Sequence, residues 1–254
     1  MEKDEFVHLA NEFYQDALIA NSYYSLLDQY EKNRKDYFPE MQMSSAFYTI
    51  THYAVVEALF MNLARIYDND AKAISVKKML LECKNNVGLL KECSKRTDFP
   101  HVVEKNENWY FEDNKEVKTQ KNFQPLFSSG TVPITINLTI EEYLDFYSEK
   151  LCSLNPKTKN LRIQRNKLYA HKDASSISDL DTTILNSPLY MNDIQVLIEY
   201  ALNVGIFVLG CLTNIQKPTQ YVNINDWRGS LQLVRIGEKW KYSEINSNTH
   251  LHTD

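Results

Sequence analysis

Residues 6–27 read FVHLANEFYQDALIANSYYSLL, and the spacing of their apolar positions decides the fold class. Phe6, Leu9, Phe13, Ala17, Ala20, Tyr24 and Leu27 recur at three- and four-residue steps, the signature of one face of a long α-helix. A residue that precedes proline is pushed out of helical geometry, so this helix is expected to stop before Pro39. The next segment, 42–68, is apolar around most of its circumference (Phe47, Ile50, Tyr53, Ala54, Ala58, Leu59, Leu63, Ile66, Tyr67). Such a helix is expected in the middle of a bundle.

Helical signals continue at 75–83 and 86–96, then stop. From Thr97 to Leu138 the chain holds Pro100, Pro125 and Pro133, mixed charges and a Ser-Ser-Gly turn at 128–130. Within it, Val132–Leu138 alternates and predicts a strand. The stretch 98–138 therefore reads as an irregular insertion containing a short strand or hairpin, without a core of its own. Thr139 with Glu142 then forms a capping box, with Leu138 and Tyr143 as its hydrophobic staple. Asn155-Pro156 and Ser187-Pro188 each resemble an N-cap followed by proline at the first helical position. They predict helices ending near Asp173 and spanning 189–214. Asp226 is expected to cap a last short helix, leaving 243–254 as a flexible tail.

With 43% hydrophobic and 24% charged residues, the composition is that of a globular chain with a real core. Only 6 Gly and 7 Pro argue against an all-β fold. The fold class is all-α, one domain over 1–242. Four cysteines without Cys-x-x-Cys spacing, and an acidic N-terminus lacking a signal-peptide core, point to the cytoplasm. Ile194–Leu212 is the longest apolar stretch, but Gln195, Glu199 and Asn203 stripe one side of it. It reads as a buried core helix, not a membrane span.

The net charge of −5 does not advertise nucleic-acid binding, which would need a local patch. One exists. Between Lys157 and Lys172 lie Lys157, Lys159, Arg162, Arg165, Lys167 and Lys172, with no acidic residue. Inside it, Arg165-Asn166-Lys167-Leu168-Tyr169-Ala170-His171 combines a guanidinium able to grip phosphate with an imidazole able to move a proton near neutrality. Basic residues near a helix C-terminus also stabilise it through the dipole, so the run alone does not establish a site. Nor does the spacing, because Arg96…His101 repeats it across a proline break. On a continuous α-helix Arg165 and His171 stand about 120° apart, so one helix does not aim both at one phosphate. Two such helices meeting across a dimer would.

Arg165–Asp173 resembles the signature of the HEPN superfamily, specifically of abortive-infection (Abi) type HEPN proteins of bacteria. Leu63-Ala-Arg-Ile-Tyr-Asp-Asn-Asp70, Ser75–Leu80, the closing Asp226 helix and the all-helical layout are similar to that branch too. The resemblance implies a homodimeric HEPN-like bundle of long antiparallel helices that acts as a metal-independent endoribonuclease, in phage defence or as a toxin. It implies RNA as partner and no cofactor. On this chain it makes Arg165 and His171 catalytic, with Asn166 and Tyr169 supporting and Lys157, Lys159, Arg162, Lys167 and Lys172 binding RNA. A HEPN module that binds RNA, nucleotide or a protein without cleaving is the alternative. Some HEPN toxins carry a tyrosine two residues after the histidine, modified by a partner nucleotidyltransferase. Asp173 occupies that place here, so the resemblance leaves any antitoxin or defence partner unnamed.

Elsewhere, His52, Glu57 and Arg65 on the second helix suit salt bridges better than catalysis. His250 and His252 lack the further ligands a metal needs. No Gly-rich phosphate loop, Gly-x-Ser-x-Gly elbow or His-Glu-x-x-His occurs.

Overall fold

The predicted stripe at 6–27 lies on α1, Lys3–Asn33, which packs against both other long core helices. These are α3, Ser45–Ile66, and α8, Met191–Thr213. The computed structural model describes residues 1–97, 99–105, 109–112, 115–118, 132–170, 184–221, 224 and 226–249. Around the three long helices lie α2 (Phe38–Gln42), α4 (Val76–Asn85), α5 (Val87–Cys93), α6 (Ile140–Ser153) and α7 (Asn155–Gln164). α9, Trp227–Thr249, closes the chain against α2. The protein is an all-α bundle with one small β arm, as its sequence implies.

Phe6, Phe13, Ala17, Ala20 and Leu27 are buried, while Leu9 and Tyr24 are partly so. Pro39 does not merely end α1; it enters the first turn of α2, where its missing N–H costs nothing. α1 and α8 approach closely at Gly205, where a Cβ would stand 3.2 Å from Tyr14 Cβ and 3.3 Å from its Cα. Glycine removes the side chain that would hold the two backbones apart.

Tyrosine is abundant, at 16, and buried tyrosine hydroxyls tie helices together. Tyr67, at the end of α3, donates to the Leu197 carbonyl of α8 at 2.6 Å. Tyr200 of α8 donates to the Tyr147 carbonyl of α6 at 2.5 Å, and Tyr14 to the Pro218 carbonyl at 2.7 Å. Each ring fills the core while its hydroxyl finds an acceptor on another segment. Burial pushes the hydroxyls of Tyr67, Tyr143 and Tyr200 well above their usual pKa.

α8 is long and apolar enough to cross a membrane, but 67% of its most apolar window is buried inside the bundle. It serves as the expected core helix. α3 departs from expectation. Its C-terminal half (Leu59, Phe60, Leu63, Ile66) is buried, yet Phe47, Ile50 and Tyr53 are 62%, 68% and 70% exposed. An apolar circumference here means a core face on one half and a bare face on the other. α9 also differs: it runs through 243–249, most of the stretch read as tail. It is held by Leu231, fully buried, and by Arg235, which pairs with Glu40 and lies over the Tyr37 ring at 4.4 Å.

The insertion forms two antiparallel ribbons. β1 (Phe99–Lys105) pairs with β4 (Val132–Leu138), the predicted strand, in the register Phe99↔Leu138 to Lys105↔Val132. β2 (Trp109–Glu112) pairs with β3 (Lys115–Lys118). Among the described residues each strand has a single partner, so Pro100 and Pro133 stand on edge strands, where proline is tolerated. At its base Phe99 meets Phe207 edge-on at 5.0 Å, and Leu138 is buried beside the Thr139–Glu142 capping box, which forms as predicted.

Candidate functional site

α7 carries the first part of the basic run, Lys157, Lys159 and Arg162, and its inward face is polar except for Leu161. Thr158, Leu161 and Gln164 are buried at three-residue steps. Gln164 Nε2 donates to the Ser187 carbonyl at 2.6 Å and Asn160 Nδ2 to the Pro188 carbonyl at 2.8 Å. Lys157 forms an ion pair with Asp193 in the first turn of α8, and this bond holds the Asp193 carboxyl below its usual pKa. The returning chain is therefore clamped to α7 by amides and anchored by one ion pair.

Two expected caps are not made. Asn155 is already helical, behind Leu154 as N-cap, and no side-chain cap forms there. α8 starts at Met191, not 189, because the Ser187 and Pro188 carbonyls are spent on α7.

The expected continuous α-helix to Asp173 also fails. α-Helical winding ends at Gln164, and Arg165–Ala170 is π-helical. The 120° phase between Arg165 and His171 rested on continuous α-helix and does not carry across this turn. Tertiary contacts explain the change: Arg165 and Tyr169 both pack toward α3 across the widened turn, and such contacts override local propensity. Single π-turns within helices occur often at functional sites.

Arg165 opens onto a cavity of about 370 Å³, between α1, α3 and the π-turn. Tyr23, Met61, Asn62, Arg65 and Asp68 line it with Arg165. Arg165 Nε and Asn62 Oδ1 are both buried, and neither has a hydrogen-bond partner among the described residues. An orphaned buried polar atom costs about 1–3 kcal/mol, more when charged. Both belong to residues on the cavity lining, where the polar groups of water or of a ligand would satisfy them. Arg65 Nη2 donates to Asp16 Oδ1 at 2.5 Å, and Asp68 Oδ1 accepts from the Asp70 backbone N–H at 3.0 Å.

Asn166, Lys167 and Lys159 are exposed and available to a ligand outside the cavity. Arg162 turns its Nε to the Thr158 carbonyl of its own helix at 3.2 Å, and Lys157 is engaged with Asp193. Tyr169 stacks obliquely on Phe60 of α3 at 4.6 Å, with its pKa raised by burial and then by Glu57. His171, Lys172 and Asp173 lie outside the described residues, as do His250 and His252. Of the second-helix residues, Arg65 pairs with Asp16 and His52 Nε2 stands 3.7 Å from Glu31, whereas Glu57 forms no ion pair among the described residues. Sequence reasoning missed Asn62 and Tyr23, and it assigned Arg65 no ligand. The nearest signal was the Leu63–Asp70 segment, which contains Arg65. Among the described residues no group of His, Cys, Asp and Glu is placed to hold a metal ion.

The family model of the AbiU2 HEPN proteins matches residues 3–229. The chain belongs to the AbiU2 HEPN family. The match runs from the first residue of α1 into α9, so it takes in the π-turn and the lined cavity. No curated protein and no solved structure matches the chain. As an AbiU2 HEPN protein it is of the abortive-infection type, the kind the motif at 165–173 and the segment at 63–80 resemble.

Proposed function

We propose that this protein is a metal-independent endoribonuclease acting in phage defence or as a toxin, with Arg165 and His171 as its catalytic pair. The observation that carries the reading is the position of Arg165: at an α-to-π break, with its Nε buried and unpartnered on a cavity. With its Nε already out of water, the guanidinium gives up less hydration on meeting a phosphate, and its charge is worth more at the transition state than it would be in water.

Cleavage of RNA by its own ribose needs little else. The 2′-oxygen attacks the adjacent phosphorus, the P–O5′ bond breaks, and a 2′,3′-cyclic phosphate forms. One proton leaves O2′ and one reaches O5′. Imidazole, with an unperturbed pKa near 6.5, is suited to either transfer. Arg165 offsets the charge that builds on the equatorial oxygens. Each chain supplies one His171, so two chains supply a base and an acid. The bare apolar face of α3 supports this dimer, because Met61 lies both among the exposed apolar side chains and on the lining of the Arg165 cavity. A second copy on that face would bring its own motif to the same edge.

The test is incubation of wild type, Arg165→Ala and His171→Ala with single-stranded RNA in EDTA. Cleavage by wild type, with loss of at least about 100-fold in either variant, is expected. RNA left equally intact by all three overturns the nuclease reading. Retained binding would then identify a non-catalytic HEPN module.

A further inference from the structure

We infer that the cavity between α1, α3 and the π-turn is a ribonucleotide subsite, in which Arg65 shares a phosphate with Arg165 and Asn62 receives a ribose hydroxyl. The inference rests on the reading of this protein as an RNA-binding one, though not on cleavage. It comes from what the two orphaned atoms are. Arg165 Nε is a donor without an acceptor, and Asn62 Oδ1 is an acceptor without a donor. A carboxylate or a sulfate, both acceptors only at neutral pH, would satisfy the first and leave the second. A nucleotide's phosphate and ribose hydroxyl offer both partners at once. The 2′-hydroxyl is also the group by which a protein tells RNA from DNA.

The rest of the cavity fits that occupant. Its volume of about 370 Å³ is in the range of small-ligand pockets. Arg65 is 57% exposed and spends only Nη2 on Asp16, leaving its other N–H groups for a phosphate oxygen. Asp16 fixes the direction of Arg65 while reducing its net pull on an anion. Asp68, engaged with the Asp70 backbone, places a carboxylate on the lining itself. Asp16, paired with Arg65, and Asp68 on the lining offset part of the charge of the two guanidiniums, which suits a subsite that binds RNA moderately and releases it. Tyr23 from α1 brings an aromatic ring to the same lining, and bases stack on such rings.

The test uses the full chain with His171→Ala, so that bound RNA survives, and a fluorescent single-stranded RNA beside the DNA of the same sequence. Binding is read by anisotropy at low salt. Arg65→Gln is expected to weaken RNA and DNA alike, roughly tenfold. Asn62→Ala is expected to weaken RNA several-fold and leave DNA unchanged, removing the preference for RNA. Asp16→Asn is expected to tighten both. Folding of each variant is checked by thermal melting; Arg65→Gln, at an exposed side chain, keeps the test decisive should Asn62→Ala unfold. Unchanged RNA affinity in Arg65→Gln, or no RNA binding by the parent, overturns the subsite. If the shifts appear while wild type cleaves nothing, the subsite stands and the nuclease falls. If wild type cleaves and Arg65→Gln keeps its KM, the nuclease stands and the subsite falls.

Discussion

Arg65, which lines the cavity together with Arg165, reaches from α3 to α1, where its Nη2 donates to Asp16 Oδ1 at 2.5 Å. Burial raises the Asp16 carboxyl above its ordinary pKa, and Arg65 offsets part of that rise. The folded state thus favours the protonated acid. Its contribution to stability is fully present below the unfolded pKa and is lost as pH rises through the folded one. Without Arg65 the offset disappears, so Arg65→Ala is expected to lower the melting temperature more at pH 7 than at pH 3. A gap between variant and wild type that stays constant over this range would deny the coupling.

Buried tyrosines set the alkaline limit of the fold. Tyr67, Tyr143 and Tyr200 keep their protons well above pH 10, whereas the unfolded chain loses them there. Stability from this source is complete below pH 10. It declines above, by about 1.4 kcal/mol per pH unit for each such tyrosine. Absorbance of phenolate should therefore show exposed tyrosines titrating smoothly and the buried ones appearing together with loss of helical circular dichroism. Smooth titration of all 16 with helicity intact would refute it. Tyr67→Phe removes the bond to the Leu197 carbonyl and is expected to cost about 1 kcal/mol.

Two glycines on α8 should respond in opposite directions. Alanine at Gly210 meets nothing within 4 Å and gains helix propensity, so Gly210→Ala is expected to add up to about 1 kcal/mol. Alanine at Gly205 presses on Tyr14 Cα and Cβ, where backbone has to move. Overpacking of that kind costs about 1–3 kcal/mol and outweighs the propensity gain. Denaturant titration of both variants would show a raised midpoint for the first and a lowered one for the second. A midpoint for Gly205→Ala equal to that of Gly210→Ala would mean that the two helices do not touch there.

Local patterns were legible and spatial ones were not. The α1 stripe, the capping box at Thr139–Glu142 and the strand Val132–Leu138 depend on neighbours in sequence, and each stands where its pattern puts it. Asn155 and Ser187 show the same chemistry misjudged. Their Asx-Pro and Ser-Pro look is right for a cap, but Ser187 and Pro188 spend their carbonyls on Gln164 and Asn160. α9 reads as a tail at its polar end because the bonds that seat it, Leu231 and the Arg235–Glu40 pair, are long-range. The basic helix was visible as a run of residues. The cavity was not, because Asn62 and Arg165 are about a hundred positions apart and only packing of the π-turn on α3 joins them.

Tyr169 separates packing from chemistry within the motif. Its ring lies on Phe60 with the centroids 4.6 Å apart. Tyr169→Phe keeps that contact and is expected to leave RNA cleavage and melting temperature close to wild type. Tyr169→Ala removes it and is expected to cost about 1–3 kcal/mol, with activity falling as the π-turn loosens around Arg165. Arg165→Ala should do the reverse: activity lost, melting temperature unchanged or slightly raised, because an unpartnered buried donor is removed. Loss of cleavage in Tyr169→Phe would transfer the hydroxyl from packing to catalysis.

The α3 face decides whether the working site spans two chains. Phe47, Ile50 and Tyr53 are more than 60% exposed on a helix that carries Met61, Asn62 and Arg65 into the Arg165 cavity farther along. A large bare apolar patch marks an interaction surface, and a homodimer through it would stand each chain's motif beside its partner's. Charge on that face should prevent the association without touching the cavity. Ile50→Glu with Tyr53→Glu is therefore expected to convert a dimer, seen by sedimentation at micromolar concentration, into a folded monomer. Cleavage should fall with it at least tenfold, because one imidazole cannot both take the O2′ proton and supply the O5′ proton in the same step. Mixing wild-type chains with a growing excess of His171→Ala chains gives the sharper readout: mixed dimers hold a single imidazole, so activity per wild-type chain is expected to fall as the excess grows. A wild type that is monomeric yet fully active would place base, acid and Arg165 within one chain.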